Sequence, residues 1–336
     1  MDKKIMIMSG FIIVIILASG AYYLFGMEQT EPGFQGKMEN VTICYFAPQS
    51  GLITIAYERD FFLQNGLNAT LGKYPIGFKT SFDSIFTGEC DIGTVSETLI
   101  ATSNKKNFSI FSTIGTSENY AKIIARSDAG IRYPADLKGK RIGVRNGANP
   151  HFFLHVFLIR NGLSEKNVTI IFKKSEELPG ALETGEIDAF SMTEPSINNT
   201  KMRLGDKAVV FSEPGLTITK FNVVALNSYI KNRSEVIDRI LRALIQAEEY
   251  TKKYPDETTR ILSKQYGIGE PEIAAILNDT ELEVSLNQDI LSVLEDETRW
   301  AINSNLTDRT TVPNYLDIIN PDNLERIKPE AVTIIH

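Results

Sequence analysis

The chain has 336 residues, 43% of them hydrophobic and 23% charged, which suffices for about two globular lobes with a buried core. Its net charge of −7 argues against nucleic acid as a partner, because the sequence shows no basic stripe that would neutralise phosphates. Only Cys44 and Cys90 are cysteines, so no disulfide framework holds the fold, and one bridge or two buried free thiols are both open interpretations.

The N-terminus is a basic tetrapeptide followed by the uncharged run IMIMSGFIIVIILASGAYYLF. At 1.5 Å per residue this run spans about 31 Å as a helix, the hydrocarbon thickness of a bilayer. Lys3 and Lys4 precede the run and Glu28 is the first charge after it, so the positive-inside rule places the rest of the chain outside the cell. We predict an uncleaved membrane anchor over residues 1–26, with a cleaved signal peptide as the alternative, and a linker over 27–39.

Eight N-x-Ser/Thr sequons follow this segment and are a second indication of export. For a chain of this composition, chance alone gives roughly three. The excess indicates an outside surface in an organism that attaches glycans to asparagine. The sequon asparagines are Asn40, Asn68, Asn107, Asn167, Asn198, Asn232, Asn278 and Asn305.

The elements predicted after residue 40 occur twice in the same order. YERDFFLQNGL (57–67) and FLHVFLIRNGL (153–163) are helical patterns that end at Asn-Gly, where glycine stops a helix. NATLGKY (68–74) and NVTIIFKK (167–174) follow them as short strands.

Each copy then closes with a short helix, the sequence Thr-Gly-Glu-x-Asp and a strand that ends in a hydroxyl residue and a glutamate. These closing segments are 81–97 and 177–194, and landmarks in the two copies keep an offset of 96 to 97 residues. The repeated unit is strand–helix–strand–helix–strand, which builds parallel sheets with helices on both faces. The sequence therefore predicts an α/β protein with two lobes.

The patterns become helical beyond residue 225, and we expect these helices to pack back on the first lobe. They cover residues 234–254, 256–267, 270–279 and 287–305. The chain then crosses between the lobes twice, near residues 124–125 and 223–225. The predicted lobes are 40–124 plus 226–336 for lobe 1 and 125–225 for lobe 2.

Matching turns at the strand ends predict a small-molecule site between the lobes, because ligands of doubly wound sheets bind off the carboxyl ends of the strands. Helix N-termini at these turns favour an anionic group on the ligand. Glu97 and Glu194 instead favour an amine or several N–H donors, unless each pairs with a local basic residue or caps a backbone. The predicted ligand-binding residues are Phe46, Gln49, Ser50, Gly51, Ser96, Glu97, Asn146, Gly147, Ala148, Asn149, His151, Thr193 and Glu194.

Several of these residues have a purely structural alternative. Gly51 and Gly147 serve equally well as tight-turn glycines, and Ser50 and Asn146 are residue types that cap helices. Phe46 is either a wall of the cleft or part of the sheet core. These alternatives stay open from the sequence alone.

No motif of catalysis, nucleotide binding or metal binding is present. His151 and His155 share a helix face, but no third ligand matches them, so His151 is a ligand contact or a packing residue and no metal is predicted. Trp300 is interpreted as packing. The chain has no Walker loop, G-x-G-x-x-G, G-x-S-x-G, HExxH or CxxC pair, and no cofactor is predicted.

The segments DLKGKRIGVRNGANPHFFLHVFLIRNGL and LETGEIDAFSMTEP resemble the sulfonate/nitrate/taurine and thiamine-precursor substrate-binding proteins of ABC importers, and the resemblance extends over about residues 40–310. It implies a type II periplasmic-binding fold, in which each lobe is a doubly wound mixed sheet flanked by helices. It also implies that the loops at Ser50, Ser96, 146–149 and Glu194 face the ligand. The chain departs from the family pattern where Met192 precedes Thr193, a place that often holds a bulky aromatic.

The resemblance implies an extracytoplasmic protein that captures a small polar solute, such as a sulfonate or taurine, nitrate or a thiamine-pyrimidine-like molecule. The implied partners are an ABC permease and its ATPase, and we expect a non-enzymatic monomer held at the cell membrane by its N-terminal helix. A ligand-sensing module of a signalling system and an enzyme on the same fold are the rival hypotheses. The cysteine-rich cluster of the fungal thiamine-pyrimidine synthases is missing, which argues against their chemistry.

Overall fold

The computed structural model describes residues 34–73 and 78–335. The predicted membrane segment, residues 1–26, lies outside the described residues. Within the ranges that are described, no helix combines the length and the apolar character needed to cross a bilayer. The chain from residue 38 onward forms one compact unit, and the two sheets described below belong to it.

Strands and helices are interspersed up to residue 226, after which the described chain is mainly helical. The strands are β1 (Glu39–Tyr45), β2 (Leu67–Lys73), β3 (Ile92–Ser96), β4 (Phe108–Ser117), β5 (Ala121–Arg126), β6 (Arg141–Val144), β7 (Thr169–Phe172), β8 (Ala189–Thr193), β9 (Ala208–Phe211) and β10 (Thr219–Leu226). The helices are α1 (Gly51–Glu58), α2 (Phe61–Gln64), α3 (Phe78–Thr87), α4 (Glu97–Thr102), α5 (Asn149–Arg160), α6 (Leu178–Glu183), α7 (Ser196–Leu204), α8 (Asn227–Asn232), α9 (Ser234–Lys253), α10 (Pro255–Tyr266), α11 (Glu270–Asn278), α12 (Asp289–Asn303) and α13 (Asp322–Ile327).

The strands form two five-stranded sheets with equivalent connections, in the orders β2-β1-β3-β10-β4 and β7-β6-β8-β5-β9. β1 pairs in parallel with β2 and β3, and β6 pairs in the same way with β7 and β8. The repeat predicted from the sequence is therefore confirmed. β10 and β5 run antiparallel to the strands beside them, which makes both sheets mixed.

The chain passes between the two sheets at residues 118–120 and 212–218, between β4 and β5 and between β9 and β10. These passages come several residues before the predicted crossings near 124–125 and 223–225. The difference arises because β5 lies wholly in the second sheet and β10 wholly in the first. Both are largely apolar runs, and such runs carry no signal of which sheet they join. We call residues 38–117 with 219–335 lobe 1, and residues 121–211 lobe 2.

Each lobe has its own hydrophobic core. In lobe 1 the sheet packs against α1, α9 and the C-terminal helices in one large cluster. In lobe 2 separate clusters lie on the two faces of the sheet, one beneath α5 and one beneath α6 and α7. Close packing fixes Gly143 on β6, because a Cβ there would lie 2.6 Å from Ile187 and 2.7 Å from Leu178.

Cys44 and Cys90 form a disulfide that joins β1 to the turn before β3. Their Cα atoms are 5.8 Å apart and the two residues are 46 positions apart in the chain. The bridge decides between the two interpretations that the sequence left open. Disulfides persist in oxidising compartments, so this one favours a location outside the cytoplasm.

Candidate functional site

A small cavity lies where the two lobes meet, beside the first passage between the sheets. Its volume is about 10 Å³, which is room for roughly one water molecule. The lobes are therefore closed on each other in this structure, and a larger solute needs them to separate. The lining residues are Gln49, Ser117, Asn119, Tyr120, Glu194, Ile276, Asp279 and Thr280.

Lys122 on β5 links the two lobes through an ion-pair network at this cavity. Its Nζ lies 2.7 Å from Asp279 Oδ2 of lobe 1 and 3.2 Å from Glu194 Oε1 of lobe 2. Burial alone would lower the pKa of Lys122, but the hydrogen bond to Asp279 and the charge of Glu194 raise it above its ordinary value. Two carboxylates against one ammonium leave this wall of the cavity with a net negative charge, which suits a cationic group.

Gln49 and Ser50 lie at the N-terminus of α1 and carry polar atoms without partners. Ser50 is fully buried and Gln49 is 4% exposed, yet neither Ser50 Oγ nor Gln49 Oε1 has a hydrogen-bond partner. Ser50 does not cap α1 through its side chain, which removes the alternative role suggested by its residue type. A buried polar group without a partner costs about 1–3 kcal/mol, so these two atoms are candidates for bonding a solute.

Ser50→Ala is expected to weaken solute binding by about tenfold while changing the free energy of unfolding by less than about 1 kcal/mol, because the hydroxyl has no protein partner to lose. Calorimetric titration and urea unfolding measure the two effects. Ser84→Ala is the matched control: Ser84 is equally buried, and its Oγ donates to Ser81 O at 2.8 Å, so it should lose stability and keep its affinity. Unchanged affinity in Ser50→Ala would remove Ser50 from the site.

Glu97 begins α4 and is fully buried between the lobes. Its Oε2 accepts the Lys220 backbone N–H, and its Oε1 accepts Asn149 Nδ2 of lobe 2, both at 2.8 Å. Burial raises the pKa of Glu97 to about 8, and the bond from the Lys220 backbone and the nearby Lys220 charge partly oppose that rise. Glu97 thus forms a bond between the lobes, and protein donors already occupy both of its oxygens.

Glu297 on α12 lies in the same buried region as Glu97. Its Oε1 accepts Thr98 Oγ1 at 3.0 Å, and its Oε2 has no hydrogen-bond partner. Burial, followed by the charge of Glu97, raises the pKa of Glu297 well above its ordinary value. The two carboxyls therefore disfavour each other's ionised form.

His151 is 2% exposed and does not line the cavity. Its Nδ1 accepts the Gly147 N–H at 3.2 Å, which assigns the proton of the neutral ring to Nε2. His151 Nε2 and His155 Nδ1 both face Glu165 Oε1, at 3.6 and 3.0 Å. Burial lowers the pKa of His151 although Glu165 opposes the effect. Across the described ranges, no group of three His, Cys, Asp or Glu side chains is arranged to hold a metal ion.

Trp300 on α12 of lobe 1 packs against α5 of lobe 2. Its ring centroid lies 5.1 Å from that of His151 and 5.3 Å from that of Phe152, and the side chain is 4% exposed. We call these three residues the interlobe aromatic contact. The sequence predicted packing for Trp300, and the structure shows that the packing joins two lobes.

Residues 47–258 match the family model described as NMT1/THI5 like. The chain belongs to the NMT1/THI5-like family. A putative aliphatic sulfonates-binding protein of Bacillus subtilis (strain 168) is 23% identical over 82% of this chain and 82% of its own length. The taurine-binding periplasmic protein of Escherichia coli (strain K12) is 22% identical over 73% of this chain and 78% of its own length.

Solved structures share the fold of this NMT1/THI5-like chain. The periplasmic aliphatic sulphonate binding protein SsuA from Escherichia coli superposes with a TM-score of 0.71 at 18% identity, covering 83% of this chain and 96% of that one. The nitrate-binding protein NrtA from Synechocystis PCC 6803 gives 0.65 at 12% identity, covering 89% and 90%. The fold and the family expected from the sequence are confirmed.

In this member of the NMT1/THI5-like family, the predicted site residues separate into groups. Gln49 and Glu194 line the cavity, whereas Glu97 and Asn149 bond to each other. Asn146 is exposed. The remaining predicted residues, which are buried or half-buried near the strand ends, are Phe46, Ser50, Gly51, Ser96, Gly147, Ala148, His151 and Thr193.

Gly51 and Gly147 occupy their positions for different structural reasons. Gly147 has a φ of +68°, a conformation that a residue with a side chain rarely adopts. Gly51 has no such strain, but a Cβ there would lie 3.3 Å from Leu262 and 3.4 Å from Leu282. A tight turn explains Gly147, and side-chain packing explains Gly51.

Sequence reasoning missed several residues at the cavity of this NMT1/THI5-like chain, among them Asn119, Tyr120 and Asp279, which line it, and Lys122, which pairs with Asp279 and Glu194. Tyr120 is half-buried and packs edge-on against Phe221. Asn119 donates to Asp279 Oδ1 at 3.0 Å. All four lie outside the repeated segments, so a search for matching turns had no copy to compare them with.

Proposed function

We propose that this chain is the extracytoplasmic solute-binding component of an ABC importer, which captures a small polar solute between its lobes and releases it unchanged. The observation that carries the proposal is the cavity between the lobes beside the unpartnered atoms of Gln49 and Ser50. The sulfonate- and taurine-binding relatives support it. The disulfide supports a location outside the cytoplasm.

The proposed mechanism is rotation of the lobes about the two passages, residues 118–120 and 212–218. Opening breaks the bonds that cross between the lobes, which are Lys122–Asp279 and Glu97–Asn149. A solute enters the open cleft, and the lobes then close on it to a separation that the size of the solute sets. The closed form then docks on a permease, with residues 1–26 as the membrane tether.

The charges around the cavity favour a small zwitterion as the solute. Ser50 and Gln49 lie at the N-terminus of α1, where the partial positive charge of a helix end stabilises an anionic group. Glu194 and Asp279 outnumber Lys122 on the facing wall and favour an ammonium group. An aminosulfonate such as taurine meets both requirements, whereas nitrate and simple alkanesulfonates meet only the first.

Calorimetric titration of the detergent-solubilised full chain with taurine, ethanesulfonate, nitrate and an aminopyrimidine tests the proposal. We expect taurine to bind at least tenfold more tightly than ethanesulfonate, because ethanesulfonate lacks the amine. Binding of none of these, with no small molecule co-purifying by mass spectrometry, would refute solute binding. Conversion of a bound compound into a product would favour an enzyme instead.

Glu194→Ala is expected to weaken binding of an amine-bearing solute by more than tenfold and to leave ethanesulfonate binding nearly unchanged. Glu194 Oε2 accepts the backbone N–H of Asn198 on α7 at 3.0 Å, and a glutamine oxygen can still accept it. Glu194→Gln therefore separates the effect of the charge from the effect of this hydrogen bond. Glu186→Gln is the control, since Glu186 pairs with Lys173 on an exposed part of lobe 2. An unchanged affinity for taurine in both Glu194 variants would reject this role.

A further inference from the structure

The sequon asparagines are more uniformly exposed than the other asparagines of the chain. All eight sequon asparagines are exposed, whereas among the 14 others only Asn104, Asn146, Asn227, Asn303 and Asn314 are exposed. A glycan on asparagine needs a side-chain amide that reaches solvent in the folded protein. The exposure of every sequon therefore argues that these sites accommodate a modification.

Five of the eight lie at the ends of the sheets that face away from the cavity, where the parallel strands begin. Asn40 and Asn68 are the second residues of β1 and β2, and Asn107 directly precedes β4. Asn167 comes two residues before β7 in lobe 2, and Asn232 ends α8, which follows β10. The carboxyl ends of β1, β3, β6 and β8 point toward the cavity, so the amino ends of the parallel strands point away from it.

One direct contact and two contacts of neighbouring residues place the lobe 1 sequons at this end of the sheet. Asn68 Nδ2 donates to Asn40 Oδ1 at 2.9 Å, across the paired strands β1 and β2. Asn232 is next to Arg233, whose guanidinium lies 2.8 Å from Glu39. The backbone N–H of Asn227, at the start of α8, donates to the Asn107 carbonyl at 3.0 Å.

We propose that Asn40, Asn68, Asn107, Asn167 and Asn232 carry N-linked oligosaccharides. The donor class is a polyprenyl-phosphate-linked oligosaccharide, and the inference rests on the extracytoplasmic location in the proposed function. In the transfer, the asparagine Nδ2 forms a bond to the anomeric carbon and loses one proton. The bond from that carbon to the phosphate oxygen breaks, and the polyprenyl phosphate leaves with its electron pair.

This placement would protect the sheet edges and leave the cavity side free. β2 and β4 are the edge strands of the first sheet and β7 is an edge strand of the second, and each has one of the five sequons within it or beside it. Exposed edge strands can pair with other chains, and a bulky polar group prevents that. The proposal leaves out the three sequons near the contact between the lobes. Asn198 N–H donates to Glu194, Asn278 precedes Asp279 at the cavity, and Asn305 precedes Leu306, whose side chain lies beside Gly147 of lobe 2.

Peptide mass spectrometry of the full chain, purified from the membranes of its own cells, tests the inference. We expect sugar masses on the peptides that carry the five asparagines and unmodified peptides at Asn104 and Asn146, which are exposed but have no sequon. A matched pair of variants isolates the Asn68 site without changing that residue. Thr70→Val should abolish the sugar on Asn68 and Thr70→Ser should keep it.

Unmodified asparagines at all five positions would overturn the inference. Taurine titration of the same preparation keeps this outcome separate from the proposed function. Unmodified asparagines on a chain that still binds taurine would refute the glycosylation inference and leave the proposed function standing. Glycans on a chain that binds no solute support this inference and refute the proposed function.

Discussion

Trp300→Ala is expected to weaken solute binding by about 100-fold or more. The substitution removes most of the interlobe aromatic contact, in which a 4% exposed indole packs against His151 and Phe152 of the other lobe. Truncation of a buried tryptophan to alanine typically costs about 3–5 kcal/mol. Because the proposed opening of the lobes would break this contact, the loss falls on closure. About 1.4 kcal/mol corresponds to each tenfold change in affinity.

Fluorescence measures the same contact directly, since Trp300 is the only tryptophan of the chain. Emission of the wild type should shift to shorter wavelength when solute closes the lobes, because the indole leaves water. Trp300→Phe keeps an aromatic ring in place and should retain most of the affinity. Phe82→Leu is a stability control: Phe82 is equally buried but lies in the core of lobe 1, packed on Phe108, so it should lower stability without a comparable loss of affinity.

The proposed closure would be contradicted by a Trp300→Ala variant that binds solute as tightly as the wild type. An emission spectrum that does not respond to saturating solute would contradict it as well. In either case, the contact between α12 and α5 would be permanent packing that does not take part in binding.

The topology could be predicted from the sequence because short local motifs mark the helices and strands of both copies of the repeat. Helices end at the Asn-Gly pairs that contain Gly66 and Gly162, and the matching Thr-Gly-Glu-x-Asp segments mark where the next strands begin. Because the crossovers between these elements are short, few connections between the strands are possible. The passages between the lobes could not be placed in the same way. β5 and β10 are largely apolar runs without a local signal of their partners, and which sheet they join depends on partners more than 60 residues away.

From the sequence, cavity residues were predicted only at the carboxyl ends of strands, where ligands of doubly wound sheets bind. Gln49 and Glu194 follow strands and reach the cavity, as expected for ligands of a doubly wound sheet. Lys122 lies on a strand and Asp279 directly follows a helix, both outside the repeat, and the two meet only in the folded chain. Glu97 has the same local sequence signal as Glu194, but the C-terminal helix α12 covers it, and that burial has no local sequence signature.

Glu97→Gln is expected to make the protein more stable than the wild type at pH 8 and above. The pKa of Glu97 rises from 4.5 to about 8 on folding, chiefly because burial disfavours the ionised carboxylate. Between about pH 4.5 and pH 8, Glu97 therefore keeps its proton in the folded state, whereas it has lost that proton in the unfolded state. Stability conferred by the protonated carboxyl is complete below about pH 4.5 and is lost as the pH rises toward 8, by roughly 4–5 kcal/mol.

Glutamine can replace the protonated carboxyl with its hydrogen bonds intact. Glu97 Oε2 accepts the fixed Lys220 N–H, and a glutamine oxygen can take that place. The Asn149 amide that donates to Oε1 can turn over, so that its oxygen accepts from the glutamine Nε2. Glu97→Gln thus keeps both bonds, one of them between the lobes, without a buried charge.

Urea unfolding of the wild type and Glu97→Gln from pH 4.5 to pH 9 measures the effect. The wild type should lose stability steadily across this range, and the variant should lose less. A smaller fall remains in the variant because the pKa of Glu297 is also raised by burial. Glu235→Gln, at a side chain that is 78% exposed, should follow the wild type throughout. Parallel curves for Glu97→Gln and the wild type would mean that Glu97 is ionised at neutral pH, with the bonds from Asn149 and Lys220 outweighing its burial.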